Sequence, residues 1–202
     1  MRMLLQLALI IVAGSTLVLA QSDDAALSLS PKREFRAAWV ATVTNLDWPS
    51  SPGGNPQVQR DQLVALLDNL KASGINVIVF QIRTECDALY ASSIDPWSYW
   101  LTGSQGIAPN PFYDPLSFAV QEAHNRGMEL HAWFNPYRAV RVIGNYAIAP
   151  SHVTLQHPDW VITIGTFKFL DPGLPQVRSY VTSVIMDVVR RYDVDGVHFD
   201  DY

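Results

Sequence analysis

The sequence predicts the front half of a (β/α)₈ barrel, with four parallel strands and three intervening helices over residues 32–202. Three observations carry this reading. Strand and helix signals alternate from Lys32 to the last residue. Turns after helices are tight while segments after strands are long, the asymmetry of a barrel whose active site sits on the loops following the strands. The segment after the first strand, "TNLDWPSSPGGNP", contains no G-x-G-x-x-G phosphate turn, which argues against a doubly wound sheet. A barrel needs eight strand-helix units, and four are present here.

Each element has its own signal. "FRAAWVATV" (Phe35 to Val43) is aromatic and β-branched, as a strand requires. Asn55 then caps a helix with Pro56 at its first position. Leu63, Leu66, Leu67 and Leu70 form its apolar stripe, and Gly74 stands where a helix stops. "INVIVFQIR" is almost continuously apolar, the mark of a parallel strand buried on both faces. Asp114-Pro115 repeats the cap-then-proline start, and that helix ends at Gly127 before the strand "MELHAWF". The third helix keeps Val177, Tyr180, Val181, Val184, Ile185, Val188, Val189 and Tyr192 on one face, then runs through Asp195-Gly196 into "VHFDDY". Parallel strands joined this way take right-handed crossovers.

The 202 residues are 49% hydrophobic, enough to build one domain with a core, and the net charge of −5 comes without any Lys/Arg run, so no nucleic-acid partner is expected. Cys86 is the single cysteine, which excludes an internal disulfide and a thiolate metal cluster. Residues 1–20 read as a signal peptide: Arg2 precedes an uncharged apolar stretch reaching Asp23, with cleavage expected after Ala20. Gly14-Ser15-Thr16 interrupts that stretch and no basic stop-transfer cluster follows, so membrane contact is expected only through the signal peptide before its removal. No cysteine near Ala20 offers a lipid anchor. Residues 21–31 form a tether, and the protein is expected to be exported, to the periplasm, cell surface or medium.

The strands finish in polar residues. Gln81-Ile82-Arg83 ends the second, Asn135-Pro136-Tyr137-Arg138 follows the third, and His198-Phe199-Asp200-Asp201 ends the fourth. Residues two apart share a strand face, so Gln81 with Arg83, Trp133 with Asn135, and His198 with Asp200 can each point to the barrel axis and gather at its C-terminal mouth. An ionised carboxylate there can attack or stabilise an anomeric centre with oxocarbenium character, and Asp200 is the candidate. Arg83, Asn135 and His198 are donors suited to sugar hydroxyls, while Trp39, Trp97 and Trp100 offer faces for pyranose rings. Gln81, Asp87, Tyr137, Arg138 and Asp201 complete the expected substrate contacts, with Asp87 the next carboxylate should Asp200 not react. "HFDD" also resembles the Thr-Phe-Asp-Asp motif of metal-dependent polysaccharide deacetylases. That site needs a closely spaced histidine pair, and among His124, His131, His152, His157 and His198 none are three or four apart. No metal or cofactor is expected.

With these residues in hand, the chain resembles the glycosyl hydrolase-like 10 family of exported bacterial proteins. The matching stretches are "REFRAAWVATVTNLDWP", "FQIRTECDALYASSIDPWS", "DPLSFAVQEAHNRGMELHAWFNPYR", "HPDW" and "YDVDGVHFDDY". The resemblance implies a barrel glycosidase acting on cell-envelope polysaccharide, with peptidoglycan glycan strands as a substrate of some members. "DGVHFDDY" is also similar to the fourth-strand segment of the α-amylase clan, Asp-Gly-x-Arg-x-Asp, whose last Asp is the nucleophile and matches Asp200. His198 stands at the clan's arginine position. The clan's general acid lies on the next strand, which this sequence does not contain. Two other readings stand beside it: a glycan-binding protein without catalysis, and the metal-dependent deacetylase. Half a barrel exposes two sheet edges and an apolar face, so aggregation or homodimerisation of the chain alone is expected.

Overall fold

The computed structural model describes residues 34–200. The expected signal peptide and tether therefore lie outside the described residues, as do Asp201 and Tyr202. Elements are numbered in chain order. Four strands pair in parallel in the order β1 (Ala37–Val40), β2 (Val77–Arg83), β3 (Glu129–Phe134) and β7 (Gly196–Phe199). Helices α1 (Pro56–Ala72), α3 (Pro115–Asn125) and α5 (Pro175–Arg191) link them in turn, and shorter helices α2 (Tyr99–Thr102) and α4 (Val153–Gln156) lie within the loops. This is the half barrel the alternation predicts. Among the described residues no helix is long and apolar enough to cross a membrane.

Local chemistry starts each long helix where expected. The Asn55 side chain accepts the Gln57 N–H and Asp114 accepts the Ser117 N–H, each followed by a proline that has no N–H to satisfy. Leu63 and Leu67 of α1 are buried, with Leu66 and Leu70 packed beside them. They meet the outward strand residues Val40, Ile78, Phe80, Leu130, Ala132 and Phe134, together with Leu116, Ala119 and Ala123 of α3 and Val184 and Val188 of α5. Each large apolar side chain removed from water here contributes roughly 1.5–3 kcal/mol. On the opposite face, Val79, Trp133 and Ala41 form a smaller cluster around the barrel axis.

The last strand is set by a glycine. A Cβ at Gly196 would come within 2.8 Å of the His131 imidazole on β3, so any side chain there would push that ring aside. Asp195 beside it accepts the Leu130 N–H at 2.8 Å and contacts His124 Nε2 at 2.8 Å, anchoring the entrance of β7.

Three expectations change. The first strand is shorter than Phe35–Val43, because the Gln81 amide takes the N–H groups of Thr42 and Val43 and the chain then turns through Thr44 and Asn45 at φ 56° and 54°. Val189 is 44% exposed rather than part of the buried face of α5, while Tyr192 packs on the core as expected but from the capping position just beyond the helix. The loop after β3 also builds an antiparallel sheet that the alternation did not foresee, in the order β4 (Arg138–Val140), β6 (Phe167–Leu170), β5 (Val161–Ile164). Gly165, at φ 60°, makes the tight turn between its last two strands.

Candidate active site

The inward residues form rows across the sheet. Gln81, Trp133 and His198 lie side by side in register, and Asn135 and Asp200 stand one step nearer the C-terminal mouth. A chain of amides sets their orientation. The Gln81 Oε1 faces the N–H groups of Thr42 at 2.8 Å and Val43 at 3.0 Å, so it must be the oxygen that accepts. Nε2 is then the donor, at 2.5 Å from Asn135 Oδ1. This turns Asn135 Nδ2 toward Asp200, where it donates to Oδ1 at 2.9 Å. Trp133 Nε1 donates to the same oxygen at 2.6 Å. Both bonds converge on Oδ1, and Oδ2 receives neither.

Around this carboxylate stand aromatic faces. His198 packs between Trp39, ring centres 5.0 Å apart, and Trp133, edge-on at 6.0 Å. Trp39 is itself 5.2 Å from Trp133, on the axis side of β1. The His198 Nε2 is buried and has no hydrogen-bond partner among the described residues. Arg138 is buried with Nε donating to the Thr84 carbonyl at 3.2 Å. Burial lowers the pKa of its guanidinium, and the negative charges of Glu85 and Asp200 work against that, which places Arg138 in the field of the candidate carboxylate.

Other expected contacts do different work. Gln81 is wholly buried and its amide is spent on the chain just described, so it positions rather than grips. Arg83 does not share the face of Gln81. The pairing of β2 with β3 shifts between them, which aligns Arg83 with the outward Phe134 and buries it against Asp95 and Tyr180. Asp87 is also buried, with Oδ1 accepting from the Thr84 N–H, the Thr84 hydroxyl and the Glu85 N–H, and it folds the loop after β2. Trp97 packs on the helix-side core and edge-on to Phe112 at 6.2 Å, away from the axis. Trp100 is buried, with its indole committed to Glu85. Tyr137 lines an apolar cleft of about 310 Å³ on the antiparallel sheet, with Ile162, Ile164, Phe169, Leu170 and Pro172. Asp201 lies outside the described residues.

Sequence reasoning missed a polar knot beneath the mouth. Glu85, 1% exposed, accepts from Trp100 Nε1 at 2.9 Å, from the Tyr146 hydroxyl at 3.0 Å and from the Arg141 N–H. Burial, then the Asp87 charge, raises the Glu85 pKa, while those donors oppose the rise. His152 Nε2 meets the Glu85 carbonyl at 2.8 Å, so that nitrogen carries the proton, and burial lowers the His152 pKa. The knot joins the loop after β2 to the loop after β3. No local pattern links Glu85 to Tyr146, 61 positions away. Among the described residues no group of three His, Cys, Asp or Glu side chains converges as a metal site would.

A carboxylate at the end of the fourth barrel strand, with one oxygen held by two donors and aromatic rings at its side, suits chemistry at a sugar's anomeric centre. The glycosyl hydrolase-like 10 profile matches residues 34–202. Glycosyl hydrolase YngK of Bacillus subtilis is 42% identical over 174 residues, covering 84% of this chain and 33% of YngK. Glycosyl hydrolase DigH of Escherichia coli K12 is 42% identical over 199 residues, covering 91% of this chain and 45% of DigH. The chain thus spans between a third and just under half the length of these relatives. Among solved structures, α-L-fucosidase isoenzyme 2 of Paenibacillus thiaminolyticus superposes with a TM-score of 0.54 at 14% identity, over 84% of this chain and 24% of that one. The maltogenic α-amylase AmyB of Thermotoga neapolitana gives 0.51 at 16% identity, over 82% of this chain and 39% of AmyB. Both support the barrel fold, of which this chain holds a half. The chain belongs to the glycosyl hydrolase-like 10 family.

Proposed function

We propose that the complete protein hydrolyses glycosidic bonds in bacterial envelope polysaccharide, with peptidoglycan glycan strands as the favoured substrate, and that Asp200 is its reacting carboxylate. The observation that carries the reading is the convergence of Trp133 Nε1 and Asn135 Nδ2 on Asp200 Oδ1 at the barrel mouth. These donors fix the carboxylate while leaving its second oxygen to face the anomeric carbon. As positive charge develops on the sugar ring, that oxygen attacks or stabilises it. Trp39 supplies a face for the ring, and the buried Arg138 adds positive charge near the carboxylate. The names of YngK and DigH support glycoside hydrolysis, and the export signal read over residues 1–20 supports an envelope glycan as substrate.

Reducing-end release from purified peptidoglycan by the full-length protein, with and without chelator, tests this. Hydrolysis predicts new reducing ends that persist with chelator. Binding without release would indicate a glycan-binding protein, and acetate release abolished by chelator would indicate a deacetylase. Expressed alone, the 202-residue chain self-associates in this reading, because Val197 and Phe199 on the outer face of edge strand β7 are 41% and 47% exposed. A monodisperse monomer by light scattering would contradict that part.

A further inference from the structure

We infer that Arg83 is a positioning residue for the reacting carboxylate and acts through Asn135. The inference rests on the reading of Asp200 given above. Arg83 is 1% exposed and cannot reach a glycan, yet it holds Asn135 by both backbone polar groups. The Asn135 N–H donates to the Arg83 carbonyl at 2.9 Å, and Arg83 Nη1 donates back to the Asn135 carbonyl at 2.9 Å and to the Pro136 carbonyl at 3.0 Å. Asn135 follows the last residue of β3, and Pro136 has no N–H with which to tie the chain down. The guanidinium therefore takes over the ladder's work where the strand ends.

Arg83 is itself held. Its Nε meets Asp95 Oδ2 at 2.6 Å, and both side chains are essentially buried, at 1% and 0% exposure. The Asp95 Oδ1 accepts the Tyr180 hydroxyl of α5, whose ring lies 5.8 Å from the Arg83 guanidinium. Ser92 Oγ fixes Asp95 from behind by accepting its N–H at 3.0 Å. A continuous line of bonds thus runs from α5 through Asp95, Arg83 and Asn135 to Asp200 Oδ1. Gln81 fixes the Asn135 side chain and Arg83 fixes its backbone, so the donor at Asp200 is set in both position and orientation. The forked guanidinium suits this task because it serves a carboxylate and two carbonyls at once, which a lysine ammonium on a flexible stem cannot match in direction.

The test uses the full-length protein with peptidoglycan as substrate and three variants: Asp200→Asn, Arg83→Lys, and Arg83→Met/Asp95→Leu. The double variant removes both charges of the buried pair together, so neither is left without the other. The expected result is a kcat about tenfold lower in both Arg83 variants, no larger than the loss in Asn135→Ala, with KM close to wild type, because a misplaced group costs rate without costing binding. The Trp133 indole ¹H–¹⁵N resonance, identified with Trp133→Phe, should move in both, since that indole shares Oδ1 with Asn135. Wild-type kcat in a folded Arg83 variant overturns the inference. So does a rate loss that only follows a fall in melting temperature while the indole resonance stays in place. Unchanged turnover in Asp200→Asn would remove the reading of Asp200 itself, whatever the Arg83 variants do.

Discussion

The two faces of the parallel sheet come from alternate residues of the same four strands, yet they are made of different material. Toward the helices stand Val40, Ile78, Phe80, Leu130, Ala132 and Phe134, all buried among aliphatic neighbours. Toward the axis stand Trp39, Gln81, Trp133, Asn135, His198 and Asp200, joined by hydrogen bonds and ring contacts. The outer face derives its energy from area removed from water, which is insensitive to direction. The inner face depends on direction: one reversed amide in the Gln81–Asn135 relay would point an oxygen at Asp200 and repel it. A one-residue step along a strand thus separates residues that hold the fold from residues of the candidate site.

That contrast can be broken by substitution. Phe80→Ala, on the outer face and wholly buried, should cost about 3–5 kcal/mol of stability, read as a lower midpoint in chemical denaturation. The protein that remains folded should keep its kcat. Asn135→Ala should do the reverse, lowering turnover about ten- to hundredfold by removing a hydrogen bond to a charged group. If Asn135→Ala lost stability and kept its rate, the inner face would be ordinary core. His198→Ala should lower turnover up to about tenfold, through lost packing on Trp39 and Trp133, read by steady-state kinetics.

The fold was legible because its signals are local. Asn55-Pro56 and Asp114-Pro115 announce helix starts within a few residues, and the apolar run of β2 announces a strand covered on both sides. The site was legible where alternation held: Trp133 with Asn135 and His198 with Asp200 do share the inner face. It failed at Arg83, because a register shift is a property of two paired strands and leaves no mark in either one. Glu85 was hidden for a related reason, since its partners Trp100, Tyr146 and Arg141 come from segments that only the folded loops bring together. The antiparallel sheet carries no such local signal, because its strands span only three or four residues inside a long loop.

The smallest expected effect lies at the other end of the last strand. Despite the opposing effect of partial burial, the His124 contact and the Leu130 N–H hold the Asp195 pKa below its ordinary value of 3.8. A depressed carboxylate adds stability that is present above its ordinary pKa and is lost as pH falls through the folded value. Melting temperature should therefore drop as pH falls below 3.8, and Asp195→Asn should remove that share of the dependence. The side chain is 33% exposed, so the contribution is below about 1 kcal/mol. A pH profile unchanged by Asp195→Asn would show that the anchor at the base of β7 is packing alone.

The most direct measurement is the turnover of Asp200→Asn in the full-length protein, taken with its melting temperature and its affinity for intact glycan. The swap keeps shape and removes only the negative charge at the end of β7. If Asp200 stabilises the developing charge, turnover falls about a thousandfold or more while stability and glycan binding hold, because the lost interaction exists chiefly in the transition state. Turnover near that of the wild-type protein would contradict the account and remove Asp200 from the chemistry.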